Sequence, residues 1–182
     1  MPNFKSIAYL RSGNETQRCA HEAITGLNLL SDLAEYHPVL CGTVPIGVDV
    51  EGSDLDMIME AHDVDRYKDE IERLYGGLEG FRIREKTVKG VPTVIAGFRY
   101  RSFDFEQFAQ PVPVEEQDAY RHMLVEHHVL ETRPQIREDI VRLKASGWKT
   151  EPAFARVLGL EGDPYDRLLD LGVSLGILKA RP

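Results

Sequence analysis

Two short apolar runs, joined by a polar loop, frame a pair of acids in the first third of the chain. The first run, Val39–Cys41, ends in Gly42-Thr43, and the second carries Asp54 and Asp56 within the segment SDLDMIM. Residues two apart on a β-strand point to the same face of a sheet, so the two aspartates are predicted to project together. Like charges held this close are tolerated when a cation lies between them. Oxygen ligands of this kind suit Mg²⁺.

The acidic pair alone is also compatible with a solvated edge strand or a turn, because Gly52-Ser53-Asp54 is favourable turn sequence. A second strand-like segment, FDFEQFAQ, places Asp104 and Glu106 on one face. A carboxylate pair with a third carboxylate on a neighbouring strand is the ligand set of a two-metal site. Glu106 is the expected third ligand, and Asp104 is the alternative that the sequence leaves open.

Three segments carry a resemblance to a known family: GTVPIGVDVEGSDLDMI, FDFEQFAQPVPVEEQDAYRHMLVE and KTEPAFARVLGLEGDPYDRLLDL. Together they span the chain from about residue 40 to about residue 170. They resemble a bacterial family of nucleotidyltransferase-like proteins without an assigned function. That family lies within the superfamily that includes DNA polymerase beta and the small-molecule adenylyltransferases. The superfamily usually has Gly-Ser where this chain has Gly42-Thr43.

The resemblance implies an enzyme that uses two Mg²⁺ ions to move a nucleoside monophosphate from a nucleoside triphosphate (NTP) to a hydroxyl or amine acceptor. It implies catalytic and metal-binding roles for Asp54, Asp56 and Glu106, with Asp104 as a further metal ligand. The alternative is a non-catalytic nucleotide-binding or regulatory protein of the same fold, acting with a partner protein. The identities of the NTP and of the acceptor stay open.

The predicted nucleotide-binding residues flank the acids. Gly42 lets the backbone approach a triphosphate closely, and Thr43 supplies a hydroxyl donor for a phosphate oxygen. Gln117 and Arg121 are four residues apart and share one face of a predicted helix. An ordinary exposed helix face is an equally favoured interpretation of those two. The complete predicted set is Gly42, Thr43, Ser53, Gln117 and Arg121.

The charge of the chain constrains its partners. A formal net charge of −8 argues against extended nucleic-acid binding, which needs a basic face, and favours a small phosphorylated substrate. Basic residues nevertheless alternate in two strand-like runs: Arg82, Arg84, Lys86, then Arg99 and Arg101. They are compatible with a triphosphate site, and a solvated strand face is the favoured alternative.

The periodicity predicts an α+β fold with the element order α-β-β-α-β-β. We expect a nucleotidyltransferase-like mixed β-sheet with helices packed on one face, followed by a C-terminal helical module. The predicted division is 1–112 for the α/β core and 113–182 for the helical module packed on it. The first helix is expected over residues 15–35, from a capping-box-like start at Asn14 and Gln17.

The remaining features are less specific. Cys19 and Cys41 lack metal-ligand spacing, and the sequence shows no signal or membrane-spanning segment, so a cytoplasmic protein is expected. The apolar segment LGVSLGIL leaves a homodimer open. Trp148 is expected to anchor helix packing. The histidines lack chelate spacing and are expected at the surface: His122, His127 and His128.

Overall fold

The computed structural model describes residues 2–180. They form one five-stranded mixed sheet with the strand order β1-β2-β5-β4-β3. Strands β2 and β5 are parallel, and all other neighbours are antiparallel. The strands are β1 Val39–Cys41, β2 Leu55–Glu60, β3 Glu79–Val88, β4 Val91–Tyr100 and β5 Phe103–Gln110.

Seven α-helices accompany the sheet in the described part of the chain. They are α1 Glu15–Gly26, α2 Leu29–Asp32, α3 Val64–Tyr75, α4 Asp118–Thr132, α5 Arg137–Ala145, α6 Thr150–Leu158 and α7 Pro164–Ser174. The predicted α+β class is therefore confirmed. The helices after the sheet agree with a helical C-terminal part, and its division from the core at residue 112 stays a prediction.

The predicted helix over residues 15–35 is wrong in its length. Its start is as expected, because the Asn14 side chain accepts from the Gln17 backbone N–H and Gln17 reaches back to complete the capping box. Asn28 then adopts a left-handed conformation with φ of 54° and ends the continuous helix. Asparagine tolerates this region better than most residues. The chain continues as α2 and a short 3₁₀ turn at Ala34–Tyr36.

Each face of the sheet packs against a different group of helices. One face buries alternate residues of β2, β4 and β5 against α1, α2 and α3, with Met57, Phe98 and Phe105 at its centre. The other face packs the residues around Ile58 against the C-terminal helices. Helix α4 contacts β1, so this second face is covered at its β1 end. At the opposite edge of that face, β3 carries exposed side chains, whereas Thr93 and Ile95 of β4 are buried.

A single cross-strand row organises that second face. The residues paired directly along it, from β1 to β3, are Cys41, Asp56, Glu106, Gly97 and Arg82. Directly paired residues project to the same face of a sheet. The row therefore brings two acids from distant parts of the sequence side by side.

Within residues 2–180, no helix is both long enough and apolar enough to cross a lipid bilayer.

Candidate functional site

Three carboxylates meet on the second face of the sheet. Asp54 is exposed and occupies the last loop position before β2, whereas Asp56 on β2 and Glu106 on β5 are half-buried. One oxygen atom from each side chain lies within 4.8 Å of the others. The parallel register explains this meeting, because Asp56 and Glu106 are direct partners. We call these three residues the carboxylate cluster.

The pKa of the Asp56 carboxyl reflects this crowding. It is raised to about 7, first by burial and then by the negative charges of Asp54 and Glu106. Glu151 raises it further, and Lys144 opposes the rise. Carboxylates held together in this way favour a cation between them. Three hard oxygen donors within 4.8 Å of one another fit Mg²⁺, so the donor set of the carboxylate cluster is suited to that ion.

Gly42 lies directly against the carboxylate cluster. Its φ of 77° is in the left-handed region, which glycine adopts without steric cost. A Cβ atom at this position would collide with Oδ2 of Asp56. Glycine is therefore required both by the turn and by the close approach of the backbone to the carboxylate. Thr43 is buried and lines the same cleft, and the phosphate-binding roles of both residues stay predictions.

The loop between β1 and β2 is held from two sides. From α1, Gln17 Nε2 donates to the carbonyl oxygen of Val44 over 2.9 Å. From α5, Arg137 Nη1 donates to the carbonyl oxygens of Ile46 and Gly47 over 2.6 and 2.8 Å. Side chains from α1 and α5 thus fix the loop that carries Gly42 and Asp54.

Two predicted nucleotide-binding residues use their side chains within the fold. Ser53 Oγ accepts the backbone N–H of Val50 over 2.9 Å, which closes the turn before Asp54. Gln117 is 2% exposed, and its Nε2 donates to the carbonyl oxygens of Met59 and Val112 over 2.9 Å each. The interpretation of the Gln117 face as an ordinary exposed helix face is therefore wrong. A contact of either residue with a nucleotide stays a prediction.

The other two candidates, Arg121 and Asp104, also make contacts within the fold. Arg121 is buried at the cleft wall, and its Nη2 donates to the carbonyl oxygen of Lys179 over 3.0 Å. Asp104 is exposed and forms an ion pair with Arg99 over 3.5 Å. The structure brings Asp54, Asp56 and Glu106 together and places Asp104 outside that group. The geometry thus favours Glu106 as the third ligand.

A cleft of about 1800 Å³ separates the carboxylate cluster from residues of the C-terminal helices that line its other side. Lys144 on α5 lines this cleft, and its Nζ donates to Thr150 Oγ1 over 2.9 Å. Burial lowers the pKa of Lys144, while four surrounding carboxylates raise it: Glu126, Glu151, Asp54 and Asp56. Nothing in the sequence singles out Lys144 as a functional residue, since only tertiary packing brings it within electrostatic reach of the carboxylate cluster.

Glu126 on α4 is a buried acid in the same wall of the cleft. It is 3% exposed, and its Oε1 has no hydrogen-bond partner among the described residues. Its pKa is raised well above the usual range, first by burial and then by Glu151, and Lys144 lowers it. A strongly shifted acid in a cleft is typical of a functional site. In the sequence, the one indication of this role is that Glu126 occupies a position of the helix where the apolar period predicts a buried residue.

Two expectations about large side chains are wrong. Trp148, expected to anchor helix packing, is 43% exposed and lines the cleft beside Lys149. His122 and His127, expected at the surface, are only 4% and 8% exposed. His122 Nε2 lies 2.9 Å from the carbonyl oxygen of Tyr165, so this ring serves the packing of α4 on α7. An exposed indole at the edge of a cleft can stack against another aromatic ring.

The sequence and the fold are similar to known proteins. The model of a family described as a domain of unknown function, DUF4269, matches residues 22–171, which include the whole carboxylate cluster. No curated protein matches the chain in sequence. Among solved structures, the chain is similar to the Cid1 poly(U) polymerase bound to MgGTP, with 14% identity and a TM-score of 0.51. That similarity covers 69% of this chain and 40% of Cid1.

Two further structures support the same fold. One is a chain of the GLD-2/RNP-8 complex, with 14% identity, a TM-score of 0.56 and coverage of 93% of this chain and 70% of that one. The other is the polymerase core of TRAMP, an RNA surveillance complex, with 13% identity and a TM-score of 0.53 over 92% of this chain and 59% of that one. The described residues thus adopt a nucleotidyltransferase fold. The chain spans less than half the length of Cid1.

Proposed function

Because the chain belongs to the DUF4269 family and has a nucleotidyltransferase fold, we propose that it is a Mg²⁺-dependent nucleotidyltransferase. The observation that carries the proposal is the meeting of Asp54, Asp56 and Glu106, with one oxygen atom of each within 4.8 Å of the others. Asp56 and Glu106 lie on adjacent parallel strands, and Asp54 directly precedes the first of them. The fold alone is compatible with many functions, whereas a crowded set of three carboxylates is a specific chemical arrangement.

In this proposal the carboxylate cluster holds two Mg²⁺ ions. When bound, the ions supply Lewis-acid stabilisation of the charge on the transferring phosphoryl group and align the reactants. Glu106 accepts the proton from the acceptor hydroxyl or amine. A bond forms between that oxygen or nitrogen and the α-phosphorus of the NTP, the bond from this phosphorus to its bridging oxygen breaks, and pyrophosphate leaves.

Residues on both walls of the cleft are proposed to bind the triphosphate and the base of the nucleotide. Lys144 is the cation within electrostatic reach of both aspartates, so we propose that it binds the triphosphate. Gly42 and Thr43 line the cleft on the sheet side and face the triphosphate there, and the missing Cβ of Gly42 leaves room for the Asp56 carboxylate. Trp148 offers its exposed ring to the base of the nucleotide.

The proposal is tested by Mg²⁺-dependent NTP binding in matched variants. Thermal unfolding is measured with ATP, GTP, CTP and UTP, each with and without Mg²⁺, for the wild type, Asp56→Asn and Asp104→Asn. A ligand at a hundred times its dissociation constant stabilises a protein by about 2.7 kcal/mol, which is a readable shift. We expect a Mg²⁺-dependent shift that Asp56→Asn abolishes and that Asp104→Asn retains, because Asp104 lies outside the carboxylate cluster.

Turnover separates the enzyme from its alternative. Release of pyrophosphate in the presence of an acceptor supports catalysis, whereas NTP binding without turnover favours a nucleotide-binding or regulatory protein of the same fold. An equal response of Asp56→Asn and the wild type to every NTP would overturn the assignment of the site.

A further inference from the structure

Three basic residues form a line on the sheet face that carries the carboxylate cluster. Arg82, Arg84 and Lys86 occupy alternate positions of the edge strand β3, and all three are exposed. Their direct partners on β4 are Gly97, Ile95 and Thr93. The residues between them, such as Ile83, face the helices on the other side of the sheet. We call Arg82, Arg84 and Lys86 the basic row.

The positive charges of the basic row have no ion-pair partner among the described residues, although the protein is acidic overall. The chain has 30 acidic and 22 basic residues, yet none of the three side chains forms an ion pair with a described residue. On the opposite face of the same strand, Glu85 is paired with Lys68. Charge on an edge strand prevents edge-to-edge pairing, but charges of either sign serve that purpose. Three positive side chains on one face create a local positive potential, although the net charge of the chain is negative.

Arg82 links the basic row to the carboxylate cluster. It is paired with Gly97, which is paired in turn with Glu106. A Cβ atom on Gly97 would lie 2.6 Å from Cζ of Arg82, so the guanidinium extends flat across the glycine. Neighbouring strands are about 4.8 Å apart. The guanidinium of Arg82 therefore lies over β4 and extends toward Glu106. It follows the cross-strand row that contains Asp56 and Glu106.

We propose that the basic row binds the phosphates of a single-stranded polyanion whose end reaches the carboxylate cluster, which makes that strand the acceptor. Alternate residues of a strand are about 6.6 Å apart, so the three cations are spread over roughly 13 Å. A single phosphate spans one of these positions, whereas a chain of phosphodiesters contacts all three. This inference rests on the proposed function, because the transferred nucleotide comes from the NTP held in the cleft.

The shared chemistry is a line of phosphates, and three probes distinguish its sources. A fluorescein-labelled single-stranded oligoribonucleotide is titrated with the wild-type protein and followed by fluorescence anisotropy, and unlabelled single-stranded DNA and inorganic polyphosphate are used as competitors. The same titration is made with Arg82→Ala/Arg84→Ala/Lys86→Ala. The matched control is Arg11→Ala/Arg133→Ala/Arg156→Ala, which removes three exposed positive charges elsewhere.

We expect the triple variant of the basic row to bind the probe more weakly and the control to bind it as the wild type does. Each phosphate contact to a single strand contributes about −0.7 to the slope of log K against log salt. Loss of three contacts therefore lowers the magnitude of the slope by about 2. Stronger competition by RNA than by DNA identifies a ribose-containing strand, and equal competition by polyphosphate identifies recognition of charge alone. Both results support binding by the basic row, and the second overturns the acceptor role, because polyphosphate has no alcohol hydroxyl or amine to accept the nucleotide.

Equal binding and equal slopes for the two triple variants would overturn the inference, as would the absence of probe binding to the wild type. The NTP experiment is independent of this one. Mg²⁺-dependent NTP binding without probe binding refutes the basic row and leaves the proposed function standing. Probe binding through the basic row without any NTP response refutes the proposed function instead, and with it the acceptor role of the strand.

Discussion

Asp56 and Glu106 are direct partners across the parallel pair β2 and β5, although α3 and two further strands separate them in sequence. Parallel neighbours cannot be joined by a tight hairpin, so the intervening elements form a crossover that returns the chain beside β2. The register of this pair is what converts two separate acidic patterns into one site. A shift of one residue would turn Glu106 to the opposite, apolar face.

We predict that Gly42→Ala removes Mg²⁺-dependent NTP binding and destabilises the protein. The substitution places a Cβ against Oδ2 of Asp56 and strains a backbone with φ of 77°. The backbone strain alone costs about 1–2 kcal/mol. Gly52→Ala is the matched control, because Gly52 has φ of 80° and a Cβ there meets nothing within 4 Å. Urea unfolding should show a loss in both variants, and NTP binding should fail only in Gly42→Ala.

We predict that Mg²⁺ affinity of the carboxylate cluster rises with pH up to about 7. The pKa of Asp56 is raised from 3.8 to about 7, and a metal must displace the proton that this carboxyl holds below that value. Competition with one proton changes the affinity about tenfold per pH unit below the pKa and leaves it level above. Calorimetric titration with Mg²⁺ between pH 5.5 and 8.5, in the absence of NTP, measures this. An affinity that is constant over this range would contradict the role of Asp56 as a ligand.

The sequence predicted the local features of the site well. A period of two around Asp56 and around Glu106 indicated strands with acids on one face and apolar residues on the other, and the structure has both. Gly42 is predicted to let the backbone approach a triphosphate closely, and that role stays a prediction. The neighbour of Gly42 in the structure is the Asp56 carboxylate, which the sequence did not indicate.

Features that depend on tertiary packing were not predictable in the same way. Lys144 follows the ordinary pattern of a helix end, and only tertiary packing brings it within electrostatic reach of Asp54 and Asp56. Glu126 occupies a buried position of α4 where the helical period alone predicts an apolar residue. Trp148 is exposed although a large ring is usually buried, because it follows Gly147 in a turn that borders the cleft.

We predict that Glu126→Gln makes the protein more stable at pH 8 than the wild type. The folded-state pKa of Glu126 lies well above the usual 4.5, so the folded protein retains a proton that the unfolded chain releases. The stability of the wild type therefore falls as pH rises above 4.5, by at most about 1.4 kcal/mol per pH unit from this group. Glutamine has the same shape and carries no charge, so the variant lacks this contribution.

The measurement for Glu126 is urea unfolding at pH 6 and pH 8 for the wild type, Glu126→Gln and Glu131→Gln. Glu131 lies on the same helix and is exposed, so its variant should follow the wild type at both pH values. The stability difference between Glu126→Gln and the wild type should grow with pH. A difference that stays constant would show that the charge of Glu126 is already compensated in the folded state.

We predict that Gln117→Ala destabilises the protein by about 1–3 kcal/mol, because it removes a buried amide and leaves two carbonyl oxygens without their donor. Nε2 of Gln117 joins the carbonyl oxygens of Met59 and Val112, so it ties the end of β2 to the segment before α4. Gln135→Ala, at an exposed position, should leave the free energy of unfolding unchanged. Urea unfolding measures this cost, and NTP titration of the folded variant well below its unfolding temperature measures any contact with the nucleotide. Equal stability of the two variants would show that the buried amide contributes nothing, whereas weaker NTP binding by folded Gln117→Ala would assign Gln117 to the nucleotide as well as to the fold.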